Sequence, residues 1–231
     1  MNLRREGRPL RVGHRGAPAL APENTIASLL AAMDRGVDLV EMDVLAVDGR
    51  LRLAHGRERV GEESPSLDDA LELVGPRDVG VILDLKSTSI EESVVSLVKA
   101  RDLVARTVVA SFRSASLRKV KDLEPALTTG LAYPFDRAGI AERREFQPLI
   151  RAGLAGLRRT LPVRIGRMLA RARADAALLH HSLISPRLVD RCHSHGAAVL
   201  AWTLEDERDL QRVLAAGVDG VIANDPGLFG D

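Results

Sequence analysis

The sequence predicts an α/β fold, a closed (β/α) barrel, on three observations. Short apolar runs and amphipathic segments alternate roughly eight times, and the 231 residues are close to the length at which such a barrel is still one domain. Two stretches, 34–43 and 215–225, leave a helix through Gly-Val-Asp into an apolar strand, as successive βα units would. Neither a GxGxxG fingerprint nor a P-loop follows the first strand, which weakens nucleotide-binding folds. The alternation alone leaves an open doubly wound sheet as the alternative.

The elements follow in order. Arg11 to Gly16 reads as the first strand, and Asn24 or Thr25 opens a helix through Met33 that Gly36 stops. Val37 to Leu45 is the second strand. The Asp48-Gly49 pair then turns the chain into the short strand 51–55, a hairpin returning to the same end. Ser66 caps a helix within 64–75, and VGVILDLK at 79–86 is a strand apolar on both faces, as parallel sheet requires. Helix 90–100, strand 107–112, helix 114–123 and strand 127–133 continue the alternation. Region 136–174 is blurred, and its arginine-rich helical pattern fits a cover on the outside of the barrel: a solvated face, or one that meets a membrane surface or an anionic substrate. Strand 174–180, helix 186–196, strand 198–204, helix 205–217 and strand 217–225 complete the series.

Composition narrows the function classes. Hydrophobic residues make up 45% of the chain, enough for a core without disulfides, and Cys192 alone supports neither a disulfide framework nor a multi-cysteine zinc site. A formal charge of +1 gives no general argument for nucleic acid, which is not expected as a partner. The basic start, Met1 to Arg11, leads into no apolar segment, and no run of roughly 18 apolar residues occurs, so a cytoplasmic chain with at most peripheral membrane contact is expected. The oligomeric state is not legible.

The polar residues that interrupt strands carry the chemistry. Glu41 and Asp43, two apart in LVEMDVL, share one strand face, where paired carboxylates are costly unless protonated or neutralised by a cation. Asp84 and Lys86 repeat the spacing in ILDLK, so a third carboxylate and an ammonium share a face. Such hard oxygen donors suit Mg²⁺ or Ca²⁺. The ordinary readings are a solvated strand end for the first pair and an ion pair for the second. His14 and Arg15 follow the first strand and His55 ends the hairpin; each histidine alone is equally a packed one. Together these groups match phosphodiester cleavage, which needs charge neutralised on non-bridging oxygens, a base for the nucleophile and an acid for the departing alkoxide.

At this point the sequence resembles the glycerophosphodiester phosphodiesterase family. The matching text is HRGAP at 14–18, PENT at 22–25, EMDV at 41–44, DGRLRLAHG at 48–56, PSLDDAL at 65–71, DLK at 84–86, SF at 111–112, WTL at 202–204 and GVDGVIANDP at 217–226, in order along nearly the whole chain. The resemblance implies a single TIM (β/α)8 barrel domain over 1–231, with His14 and His55 as the acid/base pair. It implies Glu41, Asp43 and Asp84 as ligands of one divalent cation, Mg²⁺ or Ca²⁺, and Arg15 and Lys86 as phosphate contacts. Glu23 is expected to support the first loop, Asn24 to cap its helix and Trp202 to form an apolar wall. The implied reaction converts a small glycerophosphodiester to glycerol 3-phosphate and an alcohol, and a lysophospholipid is the other substrate expected. The alternatives are a lysophospholipase D type cleavage that releases a cyclic phosphate and a nonenzymatic barrel that binds phosphate or a lipid headgroup.

Three departures from the family pattern bear on this. Asp84 stands where Glu is usual and reaches less far; Gly56 follows His55 where Asp is usual, removing a carboxylate beside it; and only nine residues separate His55 from Pro65, where many members insert a small subdomain. A mouth without that subdomain is expected to be more open, and Asp as the third ligand is also a feature of related barrel phospholipases D.

Overall fold

The structure, a computed structural model, describes residues 1–61, 64–134 and 147–230. Nine strands form one sheet: β1 (Leu10–Gly13), β2 (Leu39–Val47), β3 (Arg50–Leu53), β4 (Gly80–Leu85), β5 (Thr107–Ser111), β6 (Thr128–Tyr133), β7 (Ala176–His180), β8 (Ala198–Leu204) and β9 (Gly220–Ala223). Eight of them are parallel and close on themselves, because β1 pairs with both β9 and β2. The sheet is therefore a (β/α)8 barrel, and the open alternative falls away. The helices are α1 (Ile26–Asp34), α2 (Leu67–Val74), α3 (Glu91–Ala100), α4 (Ser114–Leu123), α5 (Gln147–Ala172), α6 (Pro186–His193) and α7 (Glu207–Ala215). After β9 a single 3-10 turn, Pro226–Phe229, takes the eighth helical place.

Side-chain alternation sorts the strands into two faces. Leu10, Val12, Leu39, Ile82, Val108, Ala110, Ala132, Ala176, Leu178, Ala198, Leu200 and Ile222 fill the barrel interior as one buried cluster. The residues between them, such as Val40, Met42, Leu83 and Val109, pack outward against α1, α2 and α3. A second outer cluster joins β7, β8 and β9 to α5, α6 and α7. Each fully buried Leu or Ile contributes about 2 kcal/mol in transfer from water. Small inward residues at Ala110, Ala132, Ala176 and Ala198 leave room in the same cluster for Leu178 and Leu200.

Local chemistry sets the ends. Thr25, rather than Asn24, caps α1: its side chain accepts from the Ser28 amide. Ser66 and Asp69 form a capping box on α2, which starts at Leu67 rather than Ser64. Asp48 and Gly49 both take positive φ, 48° and 75°, the twist that lets β3 fold back on β2. β1 ends at Gly13, three residues short of its expected end, and His14 to Gly16 form a turn over the mouth. The connection from β3 to α2 contains a 3-10 turn, Arg57–Arg59, and no inserted subdomain. The expected helical cover in 136–174 is α5, interrupted in pattern by Pro162; residues 135–146 lie outside the described residues.

At the opposite end of the barrel Asp38 ties the N-terminal segment to β1 and β2. Its carboxylate accepts from the Arg11 amide at 2.8 Å and pairs with Arg8 at 2.6 Å and Arg5 at 3.2 Å. Burial opposes its charge, but Arg8 and the Arg11 amide outweigh that and hold its pKa below the usual carboxylate range. A depressed carboxylate contributes stability that is complete above its unfolded pKa and is lost as pH falls through the lower folded value. Asp38→Asn is therefore expected to cost about 1 kcal/mol at neutral pH, the arginines being half exposed. In urea denaturation the gap to the parent chain should close at acid pH; a gap independent of pH would refute the assignment.

Candidate active site

The C-terminal ends of the strands carry one layer of inward polar and aromatic side chains. Glu41 and Asp43 have the same parity as Leu39, and Asp84 the same as Ile82, so the alternation that fills the interior also turns all three carboxylates into the mouth. The parallel register sets Asp43 opposite Asp84. All three are buried, and one oxygen from each lies within 4.8 Å of the others. The shorter Asp84 thus still reaches the cluster.

Asp43 is the hub. Its Oδ2 faces His55 Nδ1 at 2.9 Å, Arg15 Nε at 3.0 Å and the Asn24 amide nitrogen at 3.2 Å. Its Oδ1 is 2.8 Å from Lys86 Nζ, although that pair is not aligned as a hydrogen bond. Lys86 also meets Asp84 Oδ2 at 2.5 Å. Asn24, expected as a helix cap, instead clamps Asp43: besides donating to the carboxylate, its side-chain oxygen accepts from the Asp43 amide at 3.0 Å. A positive φ of 58° at Asn24 aims the side chain inward.

The hairpin brings His55 home. β3 runs antiparallel to β2, and the Ala54 amide donates to the Asp43 carbonyl, so His55 returns to the level of the carboxylates. The carboxylate missing at position 56 is thus supplied by Asp43 itself. Since a carboxylate only accepts, His55 Nδ1 donates and Nε2 is the basic nitrogen; Arg15 Nη2 lies 3.5 Å from it. His14 stands on the other flank, its Nδ1 2.7 Å from Asn224 Oδ1 and its Nε2 3.9 Å from Glu41 Oε2. Asn224 is a site residue that the sequence reading did not single out; its signal was its inward parity with Ile222 at the end of β9.

Arg15 and Glu23 frame the entrance. The Arg15 amide donates to Glu41 Oε2 at 2.8 Å, and its guanidinium meets Glu23 at 2.7 Å. Glu23 also holds Arg59 at 2.8 Å, so it joins the first loop to the turn after His55. Gly16 takes φ 85° and packs so closely on α1 that a Cβ would fall 2.3 Å from Ser28 Oγ. Opposite, Trp202 packs edge-on against Phe112 and His180, and Lys86 lies 5.6 Å from the Phe112 ring centroid. Trp202, expected to form an apolar wall, thus stands in a group with Phe112 and His180.

Burial and charge set the protonation states. Burial, then Arg15, pushes the His14 pKa down to about 4, so the ring is neutral near pH 7. Burial, then the charge of Asp43, holds Glu41 well above the usual carboxylate range. Burial works against Asp43 too, but Lys86, His55 and Arg15 outweigh it and keep the group ionised. Against the same burial, Asp84 and Asp43 raise the pKa of Lys86. Converging hard oxygen donors, with Asp43 Oδ1 and Asp84 Oδ1 buried without a hydrogen bond, fit a divalent cation. The ammonium of Lys86 now supplies positive charge at the same carboxylates.

The model of the glycerophosphoryl diester phosphodiesterase family matches residues 14–66 and 65–228. A glycerophosphodiester phosphodiesterase of Caldanaerobacter subterraneus subsp. tengcongensis is 29% identical over 254 residues, covering 93% of either chain. Among solved structures, an Oleispira antarctica phosphodiesterase in complex with the product sn-glycerol-3-phosphate superposes with a TM-score of 0.71 at 23% identity, covering 94% of either chain. Glycerophosphodiester phosphodiesterase from Agrobacterium tumefaciens gives 0.72 at 20% identity, covering 96% of this chain and 99% of that one. At such identities these two establish the shared TIM barrel, whereas the family match covers His14, Glu41, Asp43, His55 and Asp84. The chain belongs to the glycerophosphoryl diester phosphodiesterase family and is a phosphoric diester hydrolase.

Proposed function

We propose that this chain hydrolyses a glycerophosphodiester to glycerol 3-phosphate and an alcohol, with His14 and His55 moving the protons. The observation that carries the reading is the buried Glu41, Asp43 and Asp84 cluster flanked by both histidines at one barrel mouth. The glycerol 3-phosphate seen in the Oleispira relative supports the same product here.

Glu41, Asp43 and Asp84 would hold the divalent cation, Mg²⁺ or Ca²⁺, which when bound neutralises charge on the non-bridging phosphate oxygens. His14, kept neutral by its surroundings and with Nδ1 donating to Asn224, presents Nε2 as the base that takes a proton from the attacking hydroxyl or water. His55 is oriented by the Asp43 carboxylate, which accepts from Nδ1 throughout, so the ring acts as acid when Nε2 also carries a proton, which passes to the departing alkoxide. Arg15 and Lys86 add donors for phosphate oxygens, held in place by Glu23, Asp43 and Asp84. Trp202 and Phe112 supply an apolar wall that orients the glycerol backbone or the alcohol. Only nine residues link His55 to Pro65, and among the described ones there is no inserted subdomain, which supports a lysophospholipid as a second substrate class.

Separate His14→Ala and His55→Ala exchanges are each expected to lower kcat on glycerophosphocholine by on the order of a hundredfold or more, with the thermal midpoint little changed. Loss of neither activity would sink the assignment of roles. Phosphorus NMR of the product separates hydrolysis from the cyclising alternative, since the present reading expects glycerol 3-phosphate and no accumulating cyclic phosphate.

Cation removal gives an independent check. Chelation should abolish turnover, and Mg²⁺ or Ca²⁺ added back should both restore it and raise the thermal midpoint by binding only the folded chain. Asp84→Asn keeps the shape but removes one ligand, so the cation-dependent rise in midpoint should shrink along with activity. Full turnover in excess chelator would overturn the proposed cation site.

A further inference from the structure

Helix α5 is a charged feature that catalysis does not use. Over Gln147–Ala172 it contains six arginines and no aspartate or glutamate. Leu161, Ile165 and Leu169 recur every four residues and, with Ala172, are buried against the barrel. Arg159, Val163, Arg167 and Arg171 recur at the same spacing on the opposite side, with Arg164 beside them, and all five are exposed, Val163 at 60%. Among the described residues no carboxylate pairs with these four arginines.

The patch extends onto α6. Between the two helices runs a groove of about 530 Å³ lined by Pro162, Val163, Arg187, Asp190, Arg191 and Ser194. Arg187 and Arg191 are exposed, and Asp190 is the acidic residue among the groove's lining. The apolar stripe of α5 already anchors it to the barrel, so the cationic side is not needed for packing. Like charges along one helix instead repel one another, a cost that an anionic partner removes. The whole chain carries only +1, so the rest of the molecule is net acidic.

We propose that the α5/α6 face docks the protein onto an anionic lipid surface, with its arginines against the headgroup phosphates and Val163 at the interfacial boundary. Charge complementarity identifies the partner as anionic. The exposed Val163 in the middle of the patch selects a lipid surface, which has an apolar phase to offer, over nucleic acid, which has none at its phosphates. The inference does not rest on the catalytic reading, and its readout is binding rather than turnover.

The test is co-sedimentation of the full chain with vesicles of equimolar phosphatidylglycerol and phosphatidylcholine, against vesicles of phosphatidylcholine alone, at low and high salt. Binding is expected on the anionic vesicles only and should weaken as salt rises. The triple exchange Arg164→Gln, Arg167→Gln, Arg187→Gln should lower the partition coefficient by about a hundredfold. The thermal midpoint and turnover of water-soluble glycerophosphocholine should stay unchanged in that variant. Equal binding of parent and variant, equal binding to neutral vesicles, or displacement from anionic vesicles by duplex DNA at matched phosphate concentration would each overturn the proposal.

Discussion

The site depends on the cost of holding carboxylates together in a barrel interior. Strand parity leaves Glu41, Asp43 and Asp84 no way to face solvent on the outer side, because that side of β2 and β4 is packed against helices. Three buried acids in one place are tolerable only with positive charge among them or a proton on one. The chain uses both: Lys86 and Arg15 hold Asp43 ionised, while Glu41 has its pKa raised. A divalent cation could add its charge to the same cluster.

Asp43 shows how one residue organises the rest. One of its oxygens takes His55, Arg15 and Asn24; the other is left to Lys86, in ion-pair contact but without an aligned hydrogen bond. The first loop, the hairpin and β4 are thereby held in a common frame even though 70 residues of sequence separate Arg15 and Lys86 at its two extremes. The hairpin is what makes this frame possible. Without the tight Asp48-Gly49 turn and the antiparallel return of β3, His55 would leave the barrel with the chain. From the turn after His55, Arg59 reaches back to Glu23 and so ties this connection to the first loop.

Legibility in the sequence followed the range of the forces involved. Helix α4 and strand β8 lie where the alternation places them, because apolar periodicity and capping act within a few residues. The α5 region was blurred because Pro162 and glycines at 153, 156 and 166 interrupt its pattern, and the packing of Leu161, Ile165 and Leu169 on the barrel overrides their weak helix propensity. Asn24 was read as a cap because Asn favours that place locally, yet Thr25 caps and Asn24 is drawn to Asp43, a contact across 19 residues.

By itself the sequence determined which residues share a strand face, and therefore that Glu41 and Asp43, and again Asp84 and Lys86, would point the same way; a period of two is a local property of extended backbone. It also determined, through motif order, the family and the barrel. Only the tertiary structure decided that β2 and β4 are neighbours in register, that Asn224 from the last strand reaches His14 in the first turn, and that Asp43 replaces the carboxylate missing beside His55. Closure of the barrel brings the two ends of the chain together, and no periodicity within either segment encodes the distance across that seam.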